Sequence, residues 1–212
     1  MDKFKNKYRI PSARLQSWDY GSNGAYFITI CTQNREHFFG EIVVSTTVLT
    51  PNVETPKLGV STFVDQTNVV STMKLNDVGR LAEKYWFEIP DHFPFVELGN
   101  FVVMPNHTHG ILIINKNGRD GVPPTVADET DAVTKPGGKN EKWKSNTIGS
   151  IINQYKRIVT INARKIHADF NWQSRFHDHI IRDSQSFETI QHYIINNPLN
   201  WDTDKFHKNN NG

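Results

Sequence analysis

An α+β fold built on an antiparallel sheet is what this sequence predicts, and three observations carry the prediction. Short runs rich in β-branched and aromatic residues alternate with stretches of helical apolar period. Two of those strand-like runs meet at a Pro-Asn dipeptide suited to a tight reversal. The chain has 212 residues that are 37% hydrophobic, with five Trp and thirteen Phe, enough apolar mass for one core.

Taken in order, Ala25 to Thr32 (AYFITICT) follows the turn-forming Gly21-Ser22-Asn23-Gly24 and reads as the first core strand. Residues 43–72 alternate Val and Thr around Pro51 and Pro56 and read as an excursion or ragged hairpin outside the core. From Asn76, a potential N-cap, Val78, Leu81, Ala82, Tyr85 and Trp86 recur at helical spacing until Pro90. Val96 to Met104 and His107 to Asn115 form two strands joined through Pro105-Asn106. Residues 116–144 show no apolar period and read as a flexible linker. Ser145 or Asn146 can cap a helix with the stripe Ile148, Ile151, Ile152, Tyr155, Ile158, Val159 and Ile166. Phe176 to Arg182 is a short strand, and Ser184 or Ser186 starts a last helix that stops at Pro198, with a disordered tail from about 203. Strand, helix, strand, strand, helix, strand is the split arrangement of ferredoxin-like (RRM-like) folds: an antiparallel sheet with helices on one face, here followed by a C-terminal helix. The whole chain, 1–212, reads as a single domain.

Composition narrows the function classes. No window approaches the roughly 18 apolar residues of a membrane span and the basic N-terminal arm lacks an apolar stretch, so the expected location is the cytoplasm, without a membrane partner. Cys31 is the only cysteine, which excludes an intrachain disulfide and a cysteine-based zinc cage. The net charge of +2 is unevenly spread. Residues 142–182 hold eight Lys or Arg against Asp169 and Asp178. Such a cluster suits a phosphate-binding surface, and it equally suits a solvated helix face.

Chemistry concentrates in two places. His107 and His109 lie two apart at the start of a strand, so both imidazoles project from one face and can share a metal ion. His177 and His179 repeat that spacing, so spacing alone does not choose between the pairs. Near the C-terminus Tyr193 and Asn197 are four apart on one helix face. An amide oxygen suits Mg²⁺ or Mn²⁺, and a phenol beside a bound phosphate can attack phosphorus; core packing and a helix cap are the other readings of the same two residues. Tyr155, beside Lys156 and Arg157, is a rival phenol. No G-x-x-x-x-G-K-[ST] run is present, which fits a reaction without a nucleotide cofactor.

Four separated runs then resemble a known family: G-A-Y-F-I-T-I-C-T-Q-N-R (Gly24 to Arg35), F-V-V-M-P-N-H-T-H-G (Phe101 to Gly110), W-Q-x-R-F-x-D-H-I-I-R-D (Trp172 to Asp183) and Y-I-I-N-N-P (Tyr193 to Pro198). They look like the REP-associated tyrosine transposases, relatives of the single-tyrosine HUH transposases of bacterial insertion sequences, over roughly Arg9 to Trp201. The resemblance implies a metal-dependent single-stranded DNA endonuclease and strand transferase acting on hairpin-containing DNA. It places the HUH motif on His107, Thr108 and His109, the nucleophile on Tyr193, and the residue completing the metal site on Asn197. It implies a covalent 5′-phosphotyrosine, a free 3′-hydroxyl, and Mg²⁺ or Mn²⁺ as the ion, with monomer and homodimer both open. Thr108 departs from the usual bulky hydrophobe. Lys156, Arg157, Arg164, Arg175 and Arg182 are the candidate DNA contacts. A binding module without catalysis and a phosphodiesterase using activated water stand as alternatives.

Overall fold

The computed structural model describes residues 3–4, 7–8, 18–48, 67–116 and 146–207. Two-residue strands β1 (Lys3–Phe4) and β2 (Lys7–Tyr8) pair with each other. The core sheet contains β3 (Gly24–Cys31), β6 (Val96–Met104), β7 (His107–Ile114) and β8 (His177–Ile181) in the order β6-β7-β3-β8, every neighbour antiparallel. This is the split ferredoxin-like order expected from the sequence. A second sheet pairs β4 (Gly40–Val48) with β5 (Thr67–Leu75) as the base of the excursion; residues 49–66 and 117–145, which take in all but the first residue of the linker expected at 116–144, lie outside the described residues.

Period-2 alternation gives the core sheet two unlike faces. Tyr26, Ile28 and Ile30 of β3, with Leu112 and Ile114 of β7, face a core filled by helices α1 (Asp77–Phe87) and α3 (Ile148–Ala163). Trp86 of α1 stacks on Phe101 at 4.5 Å and 9°. Its indole lies so close to bare backbone at Gly110 that a Cβ there would meet Cζ2 at 2.3 Å. On the opposite face Ile111 and Ile181 pack with Ile194 of the last helix, α4 (Ser184–Ile195).

Several element boundaries differ from the sequence reading. Helix α1 begins as expected, with the Asn76 side chain accepting from the Gly79 N–H at 2.9 Å. It ends at Phe87, and Pro90 belongs to a short separate helix α2 (Ile89–His92), where a missing N–H in the first turn costs nothing. The cap of α3 is Thr147, in a reciprocal capping box with Ser150, and not Ser145 or Asn146. Ile166 falls beyond the end of α3 and is 54% exposed. Asp183 caps α4 by accepting from the Ser186 N–H at 2.7 Å. Residues 201–207, in the region where the sequence suggests a disordered tail from about 203, fold back: Trp201–Thr203 form a 3-10 turn, and both Trp201 and Phe206 are buried.

Candidate metal centre

The strand register explains where the two histidines point. Cys31 sits opposite His107 and Thr29 opposite His109 in the β3–β7 ladder, on the sheet face away from α1 and α3. Both rings are essentially buried, at 0% and 1% exposure. Thr108, between them, turns to the helical face, where its hydroxyl bonds the Tyr155 phenol. The departure from a bulky hydrophobe at 108 is thus absorbed by a polar contact in the core.

Hydrogen bonds fix the tautomer of His107. Asn106 uses both amide protons, donating to the Arg35 carbonyl at 3.1 Å and the Phe206 carbonyl at 2.9 Å. Its Oδ1 therefore faces His107 Nδ1 at 2.8 Å and accepts the ring proton. That leaves Nε2 as a lone pair, buried and without a partner among the described residues. His109 is arranged similarly: Nδ1 lies 2.9 Å from Thr29 Oγ1, and Nε2 lies 3.2 Å from the phenolic oxygen of Tyr193. Phe27 stacks on the His109 ring at 5.2 Å and 27°.

The last helix and the turn after it bring the remaining groups. Asn197, 1% exposed, donates Nδ2–H to Asp204 Oδ2 at 3.3 Å, so its Oδ1 is the inward acceptor. That oxygen also has no donor among the described residues. Asp204 accepts a second bond from the Phe206 N–H at 2.6 Å, and ligand atoms of His107, His109 and Asp204 lie within 4.8 Å of one another. The Phe206 ring covers His107 at 4.6 Å.

Two buried acceptors without donors each carry a desolvation cost of ~1–3 kcal/mol. A shared cation removes it, because imidazole nitrogen, amide oxygen and carboxylate are all ligands of divalent metals. The electrostatics agree. Burial first, then His109 and Arg35, hold the His107 imidazole well below its usual range. Burial, then Lys205 and His177, push His109 down to about 3. Both rings are neutral, the form that binds a metal. Burial and then the Asp204 carboxylate raise the Tyr193 phenol, which rests protonated.

The structure thus brings together His107, His109, Tyr193 and Asn197, and it adds Asp204, which the sequence reading missed. The only signal for Asp204 was an acidic side chain between Trp201 and Phe206, in a segment assigned to the tail. The rival groups are not part of the ligand cluster, although His177 and His179 lie opposite Thr29 and Phe27 on the same sheet face. The Tyr155 phenol donates to the Ala82 carbonyl at 3.0 Å inside the core. His177 and His179 are exposed on the outer strand β8.

The five basic residues are not gathered at this site. Lys156, Arg157 and Arg164 belong to α3 or its C-cap, in the layer on the other side of the sheet. Lys156 donates to the Gln173 carbonyl at 2.5 Å, and burial pushes it down to about 8. Arg164 bonds the Phe170 carbonyl and Asn171 Oδ1, closing the turn after α3. Arg175 is exposed ahead of β8, and Arg182, just after it, lines a surface cavity with Tyr20, His179 and Ser186. Among the described residues no helix is long and apolar enough to cross a membrane.

No family model matches the chain. An uncharacterized protein of Haemophilus influenzae (strain ATCC 51907 / DSM 11121 / KW20 / Rd) is 36% identical over 199 residues, 92% of this chain and 92% of the relative. Among solved structures, a REP-associated tyrosine transposase bound to a REP hairpin is similar at TM-score 0.45 and 17% identity, covering 94% of this chain and 73% of that one. A chain from Deinococcus radiodurans R1, assigned as a candidate transposase, is similar at TM-score 0.38 and 12% identity, covering 87% of this chain and 97% of that one. With both TM-scores below 0.5 these likenesses carry no functional weight; the side chains do.

Proposed function

The chain belongs to the same family as the Haemophilus influenzae protein, and we propose that it is a metal-dependent enzyme that nicks and rejoins single-stranded, hairpin-containing DNA through a covalent 5′-phosphotyrosine on Tyr193. One observation carries the reading. The Tyr193 phenol lies 3.2 Å from His109 Nε2, beside two buried acceptors, His107 Nε2 and Asn197 Oδ1, that lack donors among the described residues.

His107, His109, Asn197 and Asp204 would hold Mg²⁺ or Mn²⁺, which supplies Lewis-acid polarisation of phosphate oxygens and offsets charge in the transition state. Tyr193 Oη attacks phosphorus; the O–P bond to tyrosine forms as the P–O3′ bond breaks, and the departing 3′-oxygen takes up a proton. The phenol proton passes to water as the attack proceeds, and a cation at the site would offset the Asp204 field that raises the phenol. The Asn197 side chain, one helical turn on, acts against that field and lowers the phenol. Rejoining is the reverse step with a DNA 3′-hydroxyl as nucleophile, so the reaction needs no nucleotide cofactor. Tyr193 reaches His109 of its own chain, so one copy supplies every group. The candidate phosphate contacts Lys156, Arg157, Arg164, Arg175 and Arg182 lie off this centre and would serve the flanking duplex or strand ends.

The test is incubation of the protein with Mn²⁺ and a labelled pool of single-stranded hairpins with randomised flanks, followed by denaturing electrophoresis. A metal-dependent covalent adduct, absent in Tyr193→Phe, is the expected result. Free cut products without an adduct point instead to hydrolysis by activated water, and retention without cutting points to a binding module.

A further inference from the structure

Arg35 is built into the same site, yet the chemistry above gives it no task. It lies just beyond the end of β3, where Asn34 and Arg35 hold φ of 54° and 58°. Two consecutive non-glycine residues in the left-handed region are uncommon and persist only where the surroundings hold them. The hold here comes from Asn106, whose amide donates to the Arg35 carbonyl at 3.1 Å while its oxygen orients His107. A single side chain therefore sets both the metal-facing lone pair and the root of Arg35.

The guanidinium continues toward the site. Its carbon lies 4.3 Å from the centre of the Phe206 ring, and that ring packs 4.6 Å from His107. Nη1 is buried and has no acceptor among the described residues. A buried guanidinium N–H without an acceptor is costly, and the planar fork matches phosphate oxygens in pairs. Close to a centre with four candidate ligands, an anion that arrives with the substrate would supply the missing acceptor.

We propose that Arg35 binds a non-bridging oxygen of a backbone phosphate within two positions of the scissile one, holding the strand in line with Tyr193. The assignment rests on the nicking reading of the His107–His109 centre. It makes Arg35 a substrate-positioning residue that contacts DNA directly, unlike Asn106, which acts through its neighbours.

Two measurements test it. In the first, single-turnover nicking is followed on the substrate recovered from the hairpin pool, with one phosphate at a time replaced by a neutral methylphosphonate at the scissile position and two on either side. Wild type is expected to slow by ~10–100-fold at the contacted position, a loss of the size seen when a positioning contact fails. Arg35→Ala is expected to carry that defect already, so the same replacement slows it no further while the others still do; Arg35→Lys recovers part of the rate. In the second, binding to single-stranded dT20 is measured in EDTA as a function of salt, where loss of one phosphate contact lowers the slope of log K against log salt by about 0.7. A nicking defect that multiplies with every methylphosphonate, together with an unchanged salt slope, would overturn the assignment. Should Arg35→Ala fail to fold, Arg35→Gln carries the same comparisons. A changed salt slope in a protein that never forms an adduct refutes the nicking reading and leaves the phosphate contact standing; an adduct with neither change refutes the contact alone.

Discussion

The phenolic oxygen of Tyr193 sits 3.2 Å from His109 Nε2, although 84 positions separate the two residues. In the tautomer whose Nδ1–H donates to Thr29 Oγ1, the one that leaves Nε2 free to ligate, the phenol proton is the donor to a buried lone pair. A cation bound at this nitrogen would compete with the phenol for it, and its binding would release the phenol. Tyr193→Phe should raise Mn²⁺ affinity by up to ~5-fold, the equivalent of one ordinary hydrogen bond of about 1 kcal/mol. Although Tyr193 itself is 39% exposed, loss of the bond leaves the buried His109 Nε2 without a donor, so the metal-free variant should be less stable by ~1–3 kcal/mol. Calorimetric titration of both proteins with Mn²⁺ checks this; weaker binding by the variant would mean that the phenol ligates the ion instead of capping the ring.

Acid should undo the site before it undoes the rest of the fold. The folded-state value of His109 is depressed to about 3, first by burial, against an unfolded value of about 6.5; His107 is depressed for the same leading reason. Below pH ~6.5 the unfolded chain takes up protons that the folded chain refuses, so stability is complete above that value and falls as pH drops toward 3. The melting temperature of the metal-free protein should decline across this window, and His109→Gln should flatten the decline. An equal decline in wild type and variant would show that the ring is not buried neutral.

Asn106 ties together three segments: the Arg35 carbonyl, the Phe206 carbonyl and the His107 ring. Asn106→Ala removes all three bonds and leaves two buried carbonyls and a ring N–H without them. The expected cost is ~2–4 kcal/mol of stability and a ~10–100-fold loss of Mn²⁺ affinity, the usual consequence of freeing a ligating histidine from its orienting partner. Denaturant melts and metal titration read the two effects separately. Retained affinity in a destabilised variant would show that the ring needs no such partner.

Strand and helix periods in the sequence led to the right sheet because core residues such as Tyr26, Ile28, Ile151 and Trp86 are buried through simple alternation. The His107–His109 pair and Tyr193 were legible as candidates because each lies on a regular element whose period sets its direction, but spacing did not choose them over His177–His179 or Tyr155; the resemblance of the four sequence runs did. Boundaries were harder. Thr147 takes the cap of α3 because Ser150 can answer it, a reciprocity that two neighbouring polar residues conceal. Asp204 and Arg35 were illegible, since both lie in irregular turns whose course depends on the long-range bonds of Asn106 and Asn197. The basic residues are a separate matter: charge density marks a surface, and two of the five, Lys156 and Arg164, also bond backbone carbonyls.

Close packing behind the candidate metal centre can be tested without touching it. A methyl group at Gly110 would meet Trp86 Cζ2 at 2.3 Å and Phe101 Cδ2 at 2.8 Å. Neither aromatic can retreat, since they stack on each other in the core. Gly110→Ala should therefore destabilise by ~1–3 kcal/mol through overpacking, measured by denaturant unfolding. A neutral result would show that α1 can move away from β7 at little cost.

Asp204 is the group whose role the geometry leaves between two possibilities that experiment can separate. Its carboxylate shares a ligand-atom cluster with His107 and His109, and it also takes the Asn197 Nδ2–H that turns Oδ1 inward. If it ligates the ion, Asp204→Ala and Asn197→Ala remove two independent donors, and their effects on Mn²⁺ affinity should multiply, each ~10–100-fold. If it only orients Asn197, the double variant should bind no more weakly than the worse single one, because the second substitution removes what the first has already disabled. We expect the multiplicative outcome, because the Phe206 N–H bond at 2.6 Å fixes the carboxylate independently of Asn197. Coincidence of the double variant with either single variant in the same titration would reduce Asp204 to a positioning group.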